Sequence, residues 1–326
     1  MNVLVTGGAG YIGAHIVRLL LDRGDSVVVA DDLVSGVRDR IPDTPLLEVD
    51  LARDGATEAL IAFMREAKVD AVIHLAARKA VGESVERPIW YYRENIISLA
   101  TVLEAMEGSG VARLVFSSSA AVYGNATGIV AETTPAVPAS PYGSTKLIGE
   151  WLISDAVHSS TLRAISLRYF NVAGAGWPQL GDRTVANLVP MVFERIDAGK
   201  SPLIFGGDFP TRDGTCVRDY VHVLDLAEAH LAALDHIDDL EHAHRVYNVG
   251  TGTGTTVREI IKTILVAANS DLQAEVVARR AGDPAELVAA ANRIAQELGW
   301  TAQFGLGEIV RSAWNAHEHL TADRPI

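Results

Sequence analysis

Continuous apolar runs, rather than alternating ones, set the rhythm of the first half of the chain. Asn2–Thr6 (NVLVT), Ser26–Asp31 (SVVVAD), Ala71–His74 (AVIH), Arg113–Ser117 (RLVFS) and Arg163–Arg168 (RAISLR) are short and mostly rich in β-branched residues. Runs of this kind read as strands buried on both faces, as in a parallel sheet. Tyr11–Arg23 and Glu58–Glu66, which lie between them, are helix candidates. The alternation predicts an α/β fold, a doubly wound parallel sheet with helices on both sides.

Near Asn171 the rhythm is lost. Glycine and proline punctuate the rest at Gly174, Gly176, Pro178, Gly206, Gly207, Pro210, Gly250, Gly252 and Gly254, which predicts many turns. The expected division is a first domain over 1–170 and a second, smaller α/β substrate domain over 171–326. Residues 221–249 are expected to pack back on the first sheet.

Hydrophobic residues at 48% and charged residues at 21% are ordinary for a globular protein. The formal net charge of −13 comes with no basic run, which argues against a nucleic-acid partner. A few placed arginines and helix N-termini still allow an anionic nucleotide to bind. Cys216 is the one cysteine, so neither an internal disulfide nor a Cys-based zinc site is expected, and no metal is assigned. The N-terminus enters a strand pattern without a basic and apolar leader, and no window reaches the roughly eighteen apolar residues of a membrane span. A cytoplasmic chain without membrane contact is expected.

The first strand runs directly into Thr6–Gly13, TGGAGYIG. Glycines at 7, 10 and 13 let the turn tighten, let backbone N–H groups approach a pyrophosphate, and let the next helix pack closely. The helix beginning near Tyr11 then points its positive end at the phosphates. Asp31 follows 18 residues after Gly13, at the end of the second strand. A carboxylate there accepts both adenine-ribose hydroxyls and repels a 2′-phosphate, which favours NAD over NADP in a Rossmann-type domain. Arg38 is the nearby opposing signal and lies too far past the strand end to outweigh it. Asp50 and Leu51, after the third strand, suit the adenine amino group; a solvated strand-end aspartate is the plain alternative. Ala76 and Ala77, within His74–Lys79, are small enough for a cofactor to cross the fourth strand, while His74 reads as a packing residue.

Ser117-Ser118-Ser119 closes the fifth strand, and Tyr142-Gly143-Ser144-Thr145-Lys146 follows Pro141. The spacing puts Tyr142 and Lys146 on one face of a helix, one turn apart. A phenol with a pKa of about 10 is a poor base at neutral pH, and a nearby ammonium favours its ionised form. An exposed helix pair is the alternative for YxxxK alone. The glycine turn, the serine-rich strand end and this order together argue against that alternative, and a serine hydroxyl from the strand end can hydrogen-bond the same substrate oxygen as Tyr142.

Six motifs, TGGAGYIG, HLAARKAVGES (74–84), FSSSAAVYG (116–124), SPYGSTK (140–146), LRYFNVAGA (167–175) and VRDYVHVLDLA (217–227), resemble UDP-glucose 4-epimerases of the extended short-chain dehydrogenase/reductase family. The segment ARRAGDPAELVA (278–289) extends the resemblance over nearly the full chain. The resemblance implies a tightly held NAD, a UDP-sugar substrate and epimerisation at the sugar C4 through a transient 4-keto sugar. It implies Ser119, Tyr142 and Lys146 as catalytic residues. It implies cofactor contacts at Gly7, Gly10, Tyr11, Ile12, Gly13, Asp31, Asp32, Ser35, Gly36, Asp50, Leu51, Leu75, Ala76, Ala77, Lys79, Asn95 and Phe170, besides Tyr142 and Lys146. Substrate contacts are implied at Ser119, Asn171, Asn187, Leu188, Phe205, Arg218, Arg280, Asp283 and Leu287, with both arginines on the diphosphate. Lys146 would bind the nicotinamide ribose and depress the Tyr142 pKa. A homodimer would be joined through helices near Trp90–Met106 and Ser144–Val157.

The chain departs from the family pattern at three places. Ala77 stands where glycine is frequent, Ala121 where a threonine is usual, and Leu287 where a tyrosine or cysteine lines the hexose 2-substituent. These leave the sugar open, so UDP-N-acetylhexosamines and UDP-pentoses stay as alternatives to UDP-glucose and UDP-galactose. A 4,6-dehydratase would need an Asp-Glu pair where Ala120-Ala121 stand. A non-catalytic NAD-binding regulator would not be expected to keep both Tyr142 and Lys146.

Overall fold

A computed structural model of the chain describes residues 1–280 and 282–322. Seven parallel strands form the larger sheet: β1 (Asn2–Thr6), β2 (Ser26–Asp31), β3 (Leu46–Glu48), β4 (Ala71–His74), β5 (Arg113–Ser119), β7 (Arg163–Tyr169) and β11 (His244–Val249). Their order is β11-β7-β5-β4-β1-β2-β3, and every neighbouring pair is parallel.

The unbroken apolar runs have a direct cause. Val3, Val5, Val27, Val29, Ala71 and Ile73 point into one core with the Tyr11–Arg23 helix and the helix Val223–His236. Leu4, Ala30, Val72, Leu114 and Phe116 point the other way, onto Leu60 and Met64 of the Ala56–Glu66 helix and Leu99 and Val102 of the Ser98–Ser109 helix. Successive strand residues therefore serve opposite cores. Each fully buried Val, Ile or Leu contributes about 1.5–3 kcal/mol relative to exposure, so polar residues are costly at either parity.

A second sheet runs β12-β10-β14-β6, with β8 also paired to β10. Its strands are β6 (Gly128–Val130), β8 (Asn171–Ala173), β10 (Val217–His222), β12 (Gly254–Thr256) and β14 (Glu286–Ala289). A two-stranded ribbon joins β9 (Leu203–Phe205) to β13 (Glu275–Val277). The chain crosses position 171 in both senses, because β6 pairs with β14 and β11 pairs with β7.

Asp219 explains why VRDY is so compact a motif. It is fully buried and accepts hydrogen bonds from the backbone N–H of Thr251, Gly252 and Ala289 and from the Thr251 hydroxyl. One carboxylate thereby ties β10 to the turn after β11 and to β14. The segment expected as a helix over Trp90–Met106 is divided. An α-turn at Pro88–Tyr92 passes into a π-helical stretch at Arg93–Ile97 before the α-helix Ser98–Ser109 begins. Among the described residues, no helix is long and apolar enough to cross a membrane.

Candidate active site and cofactor cleft

Side by side, β1 and β4 send their chains to opposite faces of the sheet, and a cleft opens above their C-terminal ends, where open α/β sheets bind ligands. The cleft has about 1000 Å³ of space open to solvent. Gly7, Gly10, Tyr11, Ile12 and Gly13 form one wall, and Asp31, Asp32, Ser35, Asp50 and Leu51 line it further along. Leu75, Ala76, Ala77 and Lys79 come from the loop after β4, and Tyr142 and Lys146 also line the cleft.

The glycine turn is tight for a measurable reason. A Cβ on Gly13 would stand 2.2 Å from the Gly7 carbonyl oxygen, closer than atoms can approach. The Tyr11–Arg23 helix starts at Gly10 with no side-chain cap and no acid in its first turn. Its first N–H groups are left to an anion. Asp31 is buried; one oxygen accepts from Ala9 N–H at 3.0 Å and the other from Leu33 N–H at 2.9 Å. Burial raises its pKa, and those two N–H groups oppose the shift.

Arg38, the possible signal for a 2′-phosphate, spends its guanidinium on the carbonyls of Ile41, Pro42 and Thr44. It closes its own loop and does not line the cleft.

Three expected cofactor residues also stay outside the lining. Asn95 donates to the Arg78 carbonyl and the Thr145 hydroxyl and accepts from Arg78 N–H, so it fixes the loop from behind. Gly36 leaves room for Asp31: a Cβ there would lie 2.5 Å from Asp31 Oδ1. Phe170 packs into a small core with Val122, Tyr123, Leu147 and Ala289.

Tyr142 and Lys146 sit in the first turns of the helix Pro141–Ser159, whose N-cap Ser140 accepts from Gly143 N–H. Both are buried. Burial pushes the Tyr142 phenol above its ordinary pKa, and the Ser119 hydroxyl opposes this. The expected depression by Lys146 is not what the structure shows. Lys146 Nζ lies 6.0 Å from the Tyr142 ring centre and donates to the Ser117 carbonyl at 2.8 Å. Burial lowers the Lys146 pKa to about 8, opposed by Glu150. One turn further along, Glu150 forms a buried pair with Arg168 at 2.6 Å and accepts from the Ser118 hydroxyl. This pair anchors the helix to β5 and β7 beneath Lys146.

The residues implied for the substrate lie outside the cleft lining. Arg218 donates to the Val217 and Pro284 carbonyls and pairs with Asp283 at 3.4 Å. Arg280 stacks on the Phe205 ring at 3.8 Å. Asn171 and Asn187 are exposed, and Leu188 packs partly on a separate core with Val189, Phe193 and Ile260. Leu287 packs on the small core that contains Phe170 and Ala120. Ser119 ends β5 and accepts from Ala121 N–H.

Sequence reasoning missed Arg40, Arg78, Glu94, Ser98, Tyr169 and Thr184, which also line the cleft. Arg78 bridges Asp32 at 2.6 Å and Glu94 at 3.0 Å, and Arg53 ties Glu94 to Asp50. Tyr169 was within reach, because it closes β7 and strand ends face the crevice. No spacing marks Arg40 or Arg78.

Residues 3–250 match the NAD dependent epimerase/dehydratase family. A UDP-glucose 4-epimerase from Azospirillum brasilense is 43% identical over 319 residues, 96% of this chain and 90% of that protein. The solved structure of a UDP-glucose-4-epimerase from Stenotrophomonas maltophila, with bound NAD and formylated UDP-arabinopyranose, has a TM-score of 0.93 at 38% identity and covers 99% of this chain and 100% of that one. A UDP-Glc/GlcNAc 4-epimerase from Campylobacter jejuni has a TM-score of 0.85 at 35% identity, over 98% and 99% of the two chains. The chain belongs to the NAD dependent epimerase/dehydratase family, among its UDP-glucose 4-epimerases.

Proposed function

We propose that the protein interconverts UDP-glucose and UDP-galactose by NAD-dependent epimerisation at C4. The observation that carries this reading is one cleft that runs from an uncapped helix N-terminus and Asp31 to the buried pair Tyr142 and Lys146. The residues present fit NAD: the Gly13 approach, the ribose-facing Asp31 and the free N–H groups suit a dinucleotide without a 2′-phosphate. When bound, NAD supplies a reversible acceptor for the hydride of the sugar C4. As the phenolate, which the positive charge of bound nicotinamide would favour, Tyr142 would take the proton of the 4-hydroxyl at its phenolic oxygen and return it to the 4-oxygen once the keto sugar has turned. Ser119 orients that oxygen. Lys146, cationic below pH about 8, keeps a donor on Ser117 and offers others to the nicotinamide ribose.

Such a cycle requires a sugar that can turn, so affinity belongs in the nucleotide. Arg218 and Arg280 serve the diphosphate, Phe205, Asn187, Leu188 and Asp283 serve the UDP, and Asn171 and Leu287 bound the sugar. In this reading residues 1–170, with 221–249, carry NAD, and 171–326 carry the UDP-sugar. The shortened wall at Leu287 supports a second activity on UDP-N-acetylhexosamines. The exposed apolar residues Ile97 and Trp151, on the helices expected at the interface, and Val85 and Ile89, just before the first of them, support a homodimer. A cytoplasmic location is part of this reading, supported by the lack, among the described residues, of a helix long and apolar enough to cross a membrane.

The test uses UDP-galactose and purified protein without added cofactor, followed by NMR. UDP-glucose should accumulate to equilibrium, and acid denaturation should release NAD in near-equimolar amount. No conversion, or release of NADP, would refute the proposal.

A further inference from the structure

Arg40 is a buried cation without an anion. It is 8% exposed, and no carboxylate lies within ion-pairing distance of it among the described residues. One terminal nitrogen donates to the Gly181 carbonyl at 2.6 Å. Its Nε is the buried side-chain nitrogen or oxygen atom without any hydrogen-bond partner among the described residues. A guanidinium carries five N–H donors and cannot shed its charge under ordinary conditions. Leaving it buried and unmatched is strongly unfavourable unless a ligand completes it.

Its surroundings say which ligand. Arg40 lines the same cleft as Gly10, Tyr11 and Ile12 at the uncapped start of the Tyr11–Arg23 helix. Asp32, the cleft carboxylate nearest in the sequence, pairs with Arg78, and Asp31 is engaged by two backbone N–H groups. Asp182 and Arg183 act on Arg40 from a distance and in opposite senses. In a dinucleotide the ribose hydroxyls and the bases carry no negative charge, so the anionic unit is the diphosphate.

We infer that Arg40 is a binding residue for the cofactor diphosphate, which it holds together with the helix N-terminus that lines the same cleft. The inference rests on NAD occupying this cleft. Arg40 joins the loop after β2 to the Gly181 segment, so the contact also couples cofactor retention to the second half of the chain.

The experiment compares holoenzyme of wild type, R40Q and R40K. Glutamine keeps a donor for Gly181 and removes the charge; lysine keeps the charge. NAD leaving the holoenzyme is trapped by alcohol dehydrogenase and ethanol, and NADH fluorescence reports the rate. R40Q should release NAD about 10–100-fold faster than wild type, R40K should fall between, and the salt dependence of release should flatten in R40Q. Unchanged release in R40Q with a lowered melting temperature would overturn the inference and leave Arg40 as a tie to Gly181. A loss of UDP affinity with NAD retention intact, or a loss confined to NADP binding, would also overturn it. If R40Q does not fold, R40K decides alone: faster release than wild type with the salt dependence kept would sustain the inference, and wild-type release with a lowered melting temperature would overturn it. Wild-type protein that purifies without any dinucleotide fails the proposed function itself, whereas NAD-loaded wild type with an equally retentive R40Q fails only this inference.

Discussion

The two ends of the reaction path are built differently. At the cofactor end Asp31, Lys146 and Tyr142 are 6%, 4% and 7% exposed, and Asp31 and Lys146 are already held by protein partners. At the end proposed for the nucleotide Arg280, Asn171 and Asn187 are exposed, with Arg280 resting on Phe205, and of the residues assigned there Arg218 is the one held by an acid, Asp283, and by two carbonyls. A preorganised end loses little entropy on binding and suits a ligand that stays; a loosely held end suits one that comes and goes. That contrast is what a cycle requires when its cofactor ends each turnover unchanged and its sugar must reorient.

The contrast is broken most sharply at Tyr142. Tyr142→Phe removes one hydroxyl and keeps the ring packing, so the protein should fold and keep its NAD. Its kcat should fall by about 10²–10⁴, the usual range for a general acid–base. Steady-state assay with UDP-galactose and quantitation of bound NAD check both halves. Near-normal turnover would move the proton transfer to another group.

Next in size is the buried pair under Lys146. Arg168→Met leaves Glu150 as an uncompensated buried charge, which costs about 3–5 kcal/mol of stability. Urea unfolding monitored by circular dichroism measures it. Nothing comparable should follow from changing the exposed Arg280, and a cost under about 1 kcal/mol would show that the pair is not what fixes the helix.

Acid should also strike the cofactor end. His74 and His230 are buried beneath it, hydrogen-bonded to Thr6 and Ser117, and burial lowers their pKa values to about 3 and about 4. Both stay neutral in the fold, while in the unfolded chain they protonate near pH 6.5. Between those limits the unfolded state binds more protons, so stability falls as the pH drops from 6.5 toward 4. The loss by pH 5 should be about 2–4 kcal/mol for the pair, and the double variant H74Q/H230Q should show a flatter acid limb. An equally steep limb in that variant would assign the effect to other groups.

How much of this was legible follows from where each signal resides. The strands could be read because two cores demand apolar residues at both parities, and strand ends then located the cleft. The Tyr142–Lys146 pair could be read because four residues make one helical turn. Arg40 could not, since its partner Gly181 is 141 positions away and charged residues are exposed by default. The hydrogen bonds of Asn95 are illegible for the same reason: its amide donates to the Arg78 carbonyl and the Thr145 hydroxyl, 17 and 50 positions away. The Tyr142 pKa depends on burial and on the distance to Lys146, and spacing reports neither.

At the nucleotide end the effects should be smaller and confined to affinity. Arg280→Ala removes an exposed side chain that stacks on Phe205, so unfolding free energy should change by less than about 0.5 kcal/mol. Loss of a charge-assisted bond to the diphosphate should weaken UDP binding by about 10–100-fold. Isothermal titration with UDP measures it, with kcat nearly unchanged. A drop in kcat with UDP affinity intact would place Arg280 at the sugar.

The smallest effect, and the sharpest test of the loose end, is at Leu287. It lies on β14 between Arg218 of β10 and Gly128 of β6, and it packs on the small core that includes Ala120 and Phe170. Its position joins Arg218, proposed for the diphosphate, to Ala120 just past the Ser119 strand end, beside which a hexose would sit in that proposal. A leucine is shorter and less polar than a tyrosine, so the wall beside the 2-substituent gives way to an N-acetyl group more easily. Overpacking a closed pocket costs about 1–3 kcal/mol, and a partly open wall should recover only the lower part of that. Leu287→Tyr should therefore cut kcat/KM for UDP-N-acetylglucosamine relative to UDP-glucose by about 5–10-fold, while UDP-glucose itself changes by less than about twofold. Assaying both sugars in both proteins gives the ratio directly. If the ratio stays fixed, Leu287 is a core residue of the second sheet, and another side chain closes the sugar pocket.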